Sequence, residues 1–164
     1  MRRAENGLAE LYGDTIDTPK GVFLIDFGPG GIYKIAFPGS WTEKRYPQGN
    51  LPWPQLAADL NRYLEGEVID WAPYPLDCSG YRPFTAVLLN EVRRIPYGRV
   101  CTYREAAERA GSPLAWRAAG QALSINRHPV IVPCHRVVGS DGRPGGFSGP
   151  PGWKKMLLEL EGAI

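Results

Sequence analysis

The sequence has few side chains that bind metals or form disulfides: three cysteines and two histidines among 164 residues. Three cysteines cannot all pair, and Cys78, Cys101 and Cys134 do not have the spacing of zinc ligands. We therefore expect no metal site and at least one free thiol. Free thiols persist in reducing compartments, so this cysteine content favours a cytoplasmic protein.

The sequence also lacks a long apolar run. No stretch approaches the roughly 20 apolar residues with which a helix crosses a bilayer. Two basic residues near the start, Arg2 and Arg3, are not followed by the apolar segment of a signal peptide. The apolar content of 43% is enough for one good core or two small ones. We expect a monomer that does not bind membranes.

The small net charge of +2 hides an asymmetry between the two halves of the chain. Residues 1–80 contain seven Lys and Arg against eleven Asp and Glu, a net charge of −4. Residues 81–164 contain twelve against six, a net charge of +6. A polyanion would therefore bind to the second half, although basic surfaces also arise without a partner.

The first half has the pattern of a small sheet with one helix. Strand-forming residues at 22–27 and 32–37, joined by the turn-forming residues 28–31, predict a β-hairpin. Leu56, Leu60, Tyr63 and Leu64 recur at helical spacing, between a proline at 54 and a glycine at 66.

A short strand over 68–71 and a proline-containing linker over 72–77 complete the first half. The prediction is an α/β protein with an N-terminal structural domain, residues 1–77, and a mainly helical C-terminal domain, residues 78–164.

In the second half, Pro83 predicts the start of a helix whose apolar face carries Phe84, Val87, Leu88 and Val92, and residues 95–98 close it. Thr102 and Glu105 have the spacing of a capping box, in which two side chains satisfy free backbone donors at a helix start. Gly111 ends that helix. Ser112, with Pro113 behind it, predicts the cap of another, which gives a helix-turn-helix.

The second helix of this motif has two contrasting faces. Trp116, Ala119, Gly120 and Leu123 cluster on the side expected to join the core. The opposite side, with Leu114, Arg117, Ala118 and Gln121, is nearly flat apart from the arginine. Its backbone could therefore come close to a nucleic acid while one long cation projects. We expect the DNA-facing residues to be Ser112, Arg117, Ala118 and Gln121.

Cys134 is the most informative residue in the chain. A strand-like apolar stretch, 130–132, is ended by Pro133, and Cys134 and His135 follow directly. A thiol is only slightly ionised near neutral pH, so a reactive cysteine needs a base, and His135 is the obvious candidate. The alternative is an inert buried cysteine beside a hydrogen-bonded histidine.

Glu161 lies at the edge of a C-terminal apolar face. Trp153, Met156, Leu157 and Leu160 form a helical stripe, and Glu161 follows Leu157 by four residues. A carboxylate in this place borders the core, although most such glutamates reach solvent.

From about Tyr81 onward, the sequence resembles the O6-alkylguanine-DNA alkyltransferases. The resemblance rests on several motifs in the family's order and spacing. They are Pro133-Cys134-His135-Arg136, Ile95-Pro96-Tyr97-Gly98, Thr102-Tyr103, Arg117-Ala118-Ala119-Gly120, Asn126 and Leu157-Leu158-Glu159-Leu160-Glu161-Gly162. The first half matches only loosely, at residues 18–21.

The resemblance implies irreversible, single-turnover transfer of an alkyl group to Cys134, without a cofactor. The substrate would be O6-alkylguanine in double-stranded DNA, with O4-alkylthymine left open. Arg117 would enter the duplex in place of an extruded base, with the helix-turn-helix in the minor groove. Tyr103 would donate a proton to the leaving guanine, and Glu161 would orient His135.

The resemblance also implies a substrate pocket formed by Asn126, Pro129, Val137, Phe147, Ser148 and Gly149. Three features depart from the common pattern and bear on substrate range. Phe147 stands where tyrosine is frequent, Trp116 is bulkier than the usual small residue, and 126–129 is not a compact Asn-Pro turn.

Two other functions are compatible with parts of the sequence. An alkyltransferase-like protein binds the lesion without reacting, but those proteins lack the cysteine that this chain has at 134. A cysteine hydrolase could use Cys134, His135 and Glu161 as a triad, and it would turn over acyl substrates without requiring DNA.

Overall fold

The structure is a computed structural model that describes residues 10–164. The chain divides into two units, one ending at Cys78 and the other running from Ser79 to Ile164. The first unit contains a sheet and a helix and the second is mainly helical, which confirms the predicted fold class. No helix within residues 10–164 is long and apolar enough to cross a membrane.

An antiparallel sheet of three strands forms the centre of the first unit. The strands β1 (Tyr12–Thr18), β2 (Gly21–Gly28) and β3 (Gly31–Ala36) pair in sequence order, so the hairpin prediction is confirmed. Strand β1 was not predicted. It is an edge strand in which only Gly13 and Ile16 are buried, so its sequence has little apolar alternation to reveal it.

Helix α1 (Leu56–Leu64) packs its four predicted apolar residues into the interior of this unit. Gly66, at a φ of +96°, follows the helix end, as predicted. The side chain of Tyr63 is fully buried and meets Trp71 edge to face, with ring centroids 5.8 Å apart. Helix α1 is therefore held by aromatic as well as aliphatic contacts.

The predicted strand over residues 68–71 is wrong, whereas residues 72–77 precede the boundary between the two units. Residues 68–71, all described, form no strand; instead, the Asp70 carboxylate accepts a hydrogen bond from Ala72 N, and Tyr74 N donates to Trp71 O. Residues 75–77 pair with β3, because Ile32 N donates to Pro75 O and Asp77 N donates to Ile32 O. A proline lacks a backbone donor but keeps its carbonyl acceptor.

In the second unit, α2 (Pro83–Arg93) begins with proline as predicted, but it turns a different face inward. Thr85, Leu88, Leu89 and Val92 are buried, whereas Phe84 is half-buried and Val87 is exposed. Several apolar residues in succession allow more than one helical face, and the packing partner decides between them.

Strand β4 (Cys101–Thr102) leads into α3 (Tyr103–Arg109), where Thr102 and Glu105 form the predicted capping box. Gly111 follows the helix end at a φ of +79°. The predicted Ser112 cap is wrong, because α4 (Trp116–Ser124) begins after a turn in which Ala115 N donates to Ser112 O. Ser112 N donates to Ala107 O, so Ser112 completes the end of α3 instead.

Ala119, Ala122 and Leu123 form the buried face of α4. The predicted core role of Trp116 is wrong: as the first residue of the helix, it keeps 44% of its surface exposed. Gly120 is half-buried. The last elements are a 3-10 turn (Cys134–Arg136), strand β5 (Val137–Val138), which pairs in parallel with β4, and α5 (Trp153–Leu160).

We predict that Gly31→Ala destabilises the protein more than Gly39→Ala. Both glycines have positive φ, +113° and +81°, so each substitution costs about 1–2 kcal/mol in backbone strain. A Cβ on Gly31 would also lie 2.4 Å from the Pro75 carbonyl oxygen, whereas Gly39 has nothing within 4 Å. Overpacking adds about 1–3 kcal/mol. Urea unfolding followed by tryptophan fluorescence measures both; equal midpoints would contradict the close approach of Pro75 to β3.

Candidate active site

Cys134 follows a strained turn, not the strand that the sequence predicts. Val132 N donates to His128 O over 2.8 Å, and Val130 between them has a φ of +74°. Among residues 10–164, Val130 alone combines a side chain with positive φ, which is unfavourable for a β-branched residue. Such strain is concentrated at functional sites, where the surrounding structure imposes it.

Asn126 holds this turn in place. Its Nδ2 donates to Val132 O over 3.0 Å, and its Oδ1 accepts a hydrogen bond from His128 N over 3.0 Å. Burial raises the pKa of the Cys134 thiol, and the Asn126 side chain opposes this shift because it favours the thiolate. Asn126 thus braces the turn that leads into Cys134.

The Cys134 thiol opens into a cavity of about 220 Å³ between α3, α4 and the loop before α5. The residues that line it are Tyr103, Gly120, Leu123, Ser124, Cys134, Gly146, Phe147 and Ser148. Most of this surface is apolar, as is common in small-molecule sites. The cavity gives an otherwise buried thiol, with only 4% of the residue exposed, a route to a substrate.

The predicted pocket residues are only partly at this cavity. Phe147 and Ser148 line it, and Gly149 does not. Asn126, Pro129 and Val137 are buried and do not line it either.

Sequence reasoning missed the wall that α4 contributes, Gly120, Leu123 and Ser124. Their i, i+3, i+4 spacing was visible, but a helical face that meets a cavity has the same spacing as one that meets the core.

Burial raises the pKa of the Cys134 thiol, and three neighbours oppose that effect. Hydrogen bonds from Asn126 and Ser148 and the positive charge of Lys154 each lower this pKa. Cys101 is also buried and has a pKa raised to about 11, but it does not line this cavity. Cys78 is exposed. Cys134 is therefore the thiol with both a cavity and stabilising partners.

The structure brings His135 and Glu161 together. His135 Nε2 lies 2.8 Å from Glu161 Oε1, and both side chains are fully buried. Burial lowers the pKa of His135, although Glu161 opposes the shift. The imidazole is therefore neutral near pH 7, the form that can accept a proton.

Arg136 completes this buried cluster and was not predicted. Its Nε and Nη2 donate to the two Glu161 oxygens over 2.9 and 2.8 Å, and its Nη1 donates to Ile95 O over 2.6 Å. Glu161 Oε2 also accepts from Gly98 N. Paired and hydrogen-bonded in this way, both charges are compatible with burial.

Lys154 is a second charged residue that sequence reasoning missed. It is 5% exposed, and its Nζ donates to Val137 O over 2.7 Å and to Gly146 O over 2.9 Å. Burial lowers its pKa to about 8, while the negative charge of an ionised Cys134 acts in the opposite direction. With Leu157, Leu158 and Glu161, it forms the buried face of α5, so a lysine at this spacing was the available signal.

Tyr103 forms another wall of the cavity and is half-buried. Burial and the proximity of Cys134 raise the pKa of its hydroxyl, so the group remains a proton donor. The hydroxyl donates to Gly146 O over 3.4 Å, and a Cβ on Gly145 would lie 3.1 Å from it.

The four predicted DNA-facing residues lie outside the cavity. Arg117 and Gln121 are exposed, and Ala118 and Ser112 are half-buried. The Arg117 guanidinium lies over the Trp116 ring, 4.9 Å from its centroid. No group of three or more His, Cys, Asp or Glu side chains in residues 10–164 could hold a metal ion.

Comparison with known proteins identifies the family. Residues 83–163 match the family model of the 6-O-methylguanine DNA methyltransferase DNA-binding domain. A methylated-DNA–protein-cysteine methyltransferase from Methanopyrus kandleri is 41% identical over 135 residues, which cover 81% of this chain and 97% of the relative.

A DNA base-flipping protein from Thermus thermophilus is 34% identical, covering 91% and 99% of the two chains. The crystal structure of Mycobacterium tuberculosis OGT in complex with DNA superposes with a TM-score of 0.78 at 32% identity, covering 93% of each chain. This chain therefore belongs to the methylated-DNA–protein-cysteine methyltransferase family.

Proposed function

We propose that this protein repairs O6-alkylguanine in double-stranded DNA by moving the alkyl group onto Cys134 Sγ. The observation that carries this proposal is the thiol itself. It is almost fully buried, yet it opens into a cavity of about 220 Å³ and is contacted by groups that favour the thiolate. O4-alkylthymine is the second substrate to test.

The transfer needs no cofactor. The Cys134 thiol gives its proton to His135 through a water molecule, and the thiolate attacks the alkyl carbon. An S–C bond forms as the C–O6 bond breaks, and the electron pair passes to the guanine, which takes a proton from Tyr103. The thioether is stable to water, so each molecule reacts once.

Glu161 and Arg136 support the base in this scheme. The Glu161 carboxylate fixes the His135 ring through Nε2 and stabilises the imidazolium that proton transfer creates. Arg136 donates to both carboxylate oxygens of Glu161 and so holds this carboxylate in place. Glu161 and Arg136 are therefore positioning residues, whereas Cys134, His135 and Tyr103 take part in the reaction.

The buried position of the thiol requires that the damaged nucleotide leave the duplex. A stacked base cannot reach Cys134, so the guanine must rotate into the cavity. We assign DNA docking to α3 and α4, in the half of the chain that carries a net charge of +6. Ser112, Ala118 and Gln121 would contact the DNA, and the exposed Arg117 would fill the vacated space.

The main rival is lesion binding without transfer. The Thermus thermophilus relative is named a DNA base-flipping protein, so family membership does not by itself establish chemistry. The thiol and its partners favour transfer. A hydrolase is the other rival, and it would turn over acyl substrates repeatedly. We also propose a monomer, and a cytoplasmic location that the three free cysteines favour.

We predict that Cys134→Ala abolishes transfer and leaves binding to O6-methylguanine duplex DNA measurable, because extrusion does not need the sulfur. Intact-mass analysis of the wild type should show the gain of one methyl group, mapped by peptide analysis to Cys134. Cys78→Ser and Cys101→Ser are the controls and should retain transfer. Demethylation of the DNA by Cys134→Ala would reject the assignment; so would a wild type that binds the lesion and gains no mass.

We predict that Lys154→Met slows transfer about 10-fold near pH 7, since each unit of increase in the thiol pKa removes about nine-tenths of the thiolate. The deficit should shrink above about pH 8, where the wild-type lysine itself loses its charge. The Lys154 side chain is positively charged below its pKa. The difference in transfer rate between the wild type and Lys154→Met should therefore be larger at low pH than at high pH.

The measurement for Lys154 is the transfer rate between pH 6.5 and 9, with circular dichroism to confirm folding. Lys155→Met is the matched control, because Lys155 is exposed and pairs with Glu159. A deficit of equal size at every pH would assign Lys154 a purely structural role.

A further inference from the structure

A second cavity adjoins the active-site cavity at Tyr103. Its volume is about 340 Å³, and Tyr103 lines both cavities. Its other lining residues are Thr102, Arg104, Trp116, Gly139, Ser140 and Asp141. None of them has a part in the transfer mechanism above. A DNA strand that leaves the active-site cavity past Tyr103 would enter this second cavity.

Trp116 is the most unusual element of the second cavity. It begins α4 and keeps 44% of its surface exposed, although an indole is among the side chains that gain most from burial. One face of the ring is covered by the Arg117 guanidinium, 4.9 Å from the ring centroid. A planar cation on an exposed indole is a stacking arrangement that another planar group can replace.

The remaining lining groups suit a nucleotide. Arg104 is exposed and can neutralise a phosphate, and the hydroxyls of Thr102 and Ser140 can donate to phosphate or sugar oxygens. Asp141 is a carboxylate that can accept from the amino group of a base. An aromatic ring together with a cation is the combination by which proteins hold unpaired nucleotides without reading sequence.

We propose that Trp116 and this second cavity form a stacking subsite for the nucleotide next to the extruded guanine on the same strand. The proposal rests on the proposed function, because it needs the damaged guanine in the active-site cavity. The neighbouring base takes the place of Arg117 on the indole: in a duplex Arg117 leaves the ring to enter the vacated space, and in a single strand the base displaces the guanidinium from the ring. One stacking partner replaces another, so the ring remains covered in both states.

The subsite has its largest effect on single-stranded DNA. In a duplex, the neighbouring base must leave its own stack before it reaches Trp116, and this costs a few kcal/mol. In a single strand, that cost is small, and Arg117 has no vacated space to fill. Trp116 and Arg117 therefore have separable effects: Trp116 acts on both substrates, and Arg117 acts on the duplex.

The test compares transfer rates at subsaturating protein on three substrates: a single-stranded oligonucleotide with O6-methylguanine, the matching duplex, and O6-benzylguanine as a free base. Trp116→Ala should slow the single-stranded reaction about fivefold or more, the factor that corresponds to the low end of base–aromatic stacking. Trp116→Phe, which keeps a ring, should recover most of the rate. The free-base rate should not change in either variant.

Two further variants separate stacking from indirect effects. Val87→Ala shortens an apolar side chain on α2 that is 48% exposed and lines neither cavity, and it should leave the single-stranded rate unchanged. Arg117→Ala should slow the duplex reaction and spare the single strand. In the Arg117→Ala background, Trp116→Ala should still slow the single-stranded reaction, which a residue that acts only by holding Arg117 would not do.

One outcome would overturn the proposal and make Trp116 a support for Arg117: Trp116→Ala slows transfer only on the duplex, and it has no effect in the Arg117→Ala background. Equal loss on all three substrates would overturn it in favour of a structural role. Failure of the proposed function would give a different result: Cys134 of the wild type would gain no methyl group with any DNA substrate. As an independent measurement, 2-aminopurine beside the lesion should be quenched by the wild type and less by Trp116→Ala; equal quenching would also reject the subsite.

Discussion

The Glu161 carboxylate holds together the segments that build the active site. It accepts hydrogen bonds from His135, Arg136 and Gly98, which belong to the 3-10 turn and to the loop after α2, while it lies itself at the end of α5. Loss of one partner from a buried charge pair costs about 3–5 kcal/mol. Glu161, which we propose orients the base, is thus also a junction of the second unit.

This cluster separates two tasks that neighbouring residues perform. Glu161, Arg136 and His135 form a network that fixes the turn, and Cys134, in the same turn, lines a cavity. Burial raises the pKa of the Cys134 thiol. Asn126, Ser148 and Lys154 limit that effect, so the thiol is protected yet remains able to ionise.

The exposure of both Trp116 and Arg117 follows from the place where α4 begins. If Ser112 had capped the helix, Trp116 would lie within its second turn, among residues that pack inward. The helix begins at Trp116 instead, which leaves both side chains at the surface. The departure from the family pattern at Trp116 therefore affects the surface beside the cavity, not the thiol chemistry.

The sequence alone was sufficient for features that depend on neighbouring residues. The capping box at Thr102, the end of α3 at Gly111 and the hairpin of β2 and β3 all arise from local hydrogen bonds and backbone preferences. The proposed nucleophile and base could also be named as candidates, because Cys134 and His135 are consecutive. The contact between Glu161 and His135 could be predicted only from the family resemblance, since no local sequence pattern connects positions so far apart.

Only the tertiary structure decided which faces are buried and what they meet. Lys154 and Arg136 are buried because carbonyls and a carboxylate from distant segments satisfy their charges, and no local pattern predicts such partners. Gly120, Leu123 and Ser124 had the spacing of a core face, yet they line a cavity. Helical periodicity identifies residues on one face of a helix; whether that face meets the core, a cavity or solvent depends on how the elements pack.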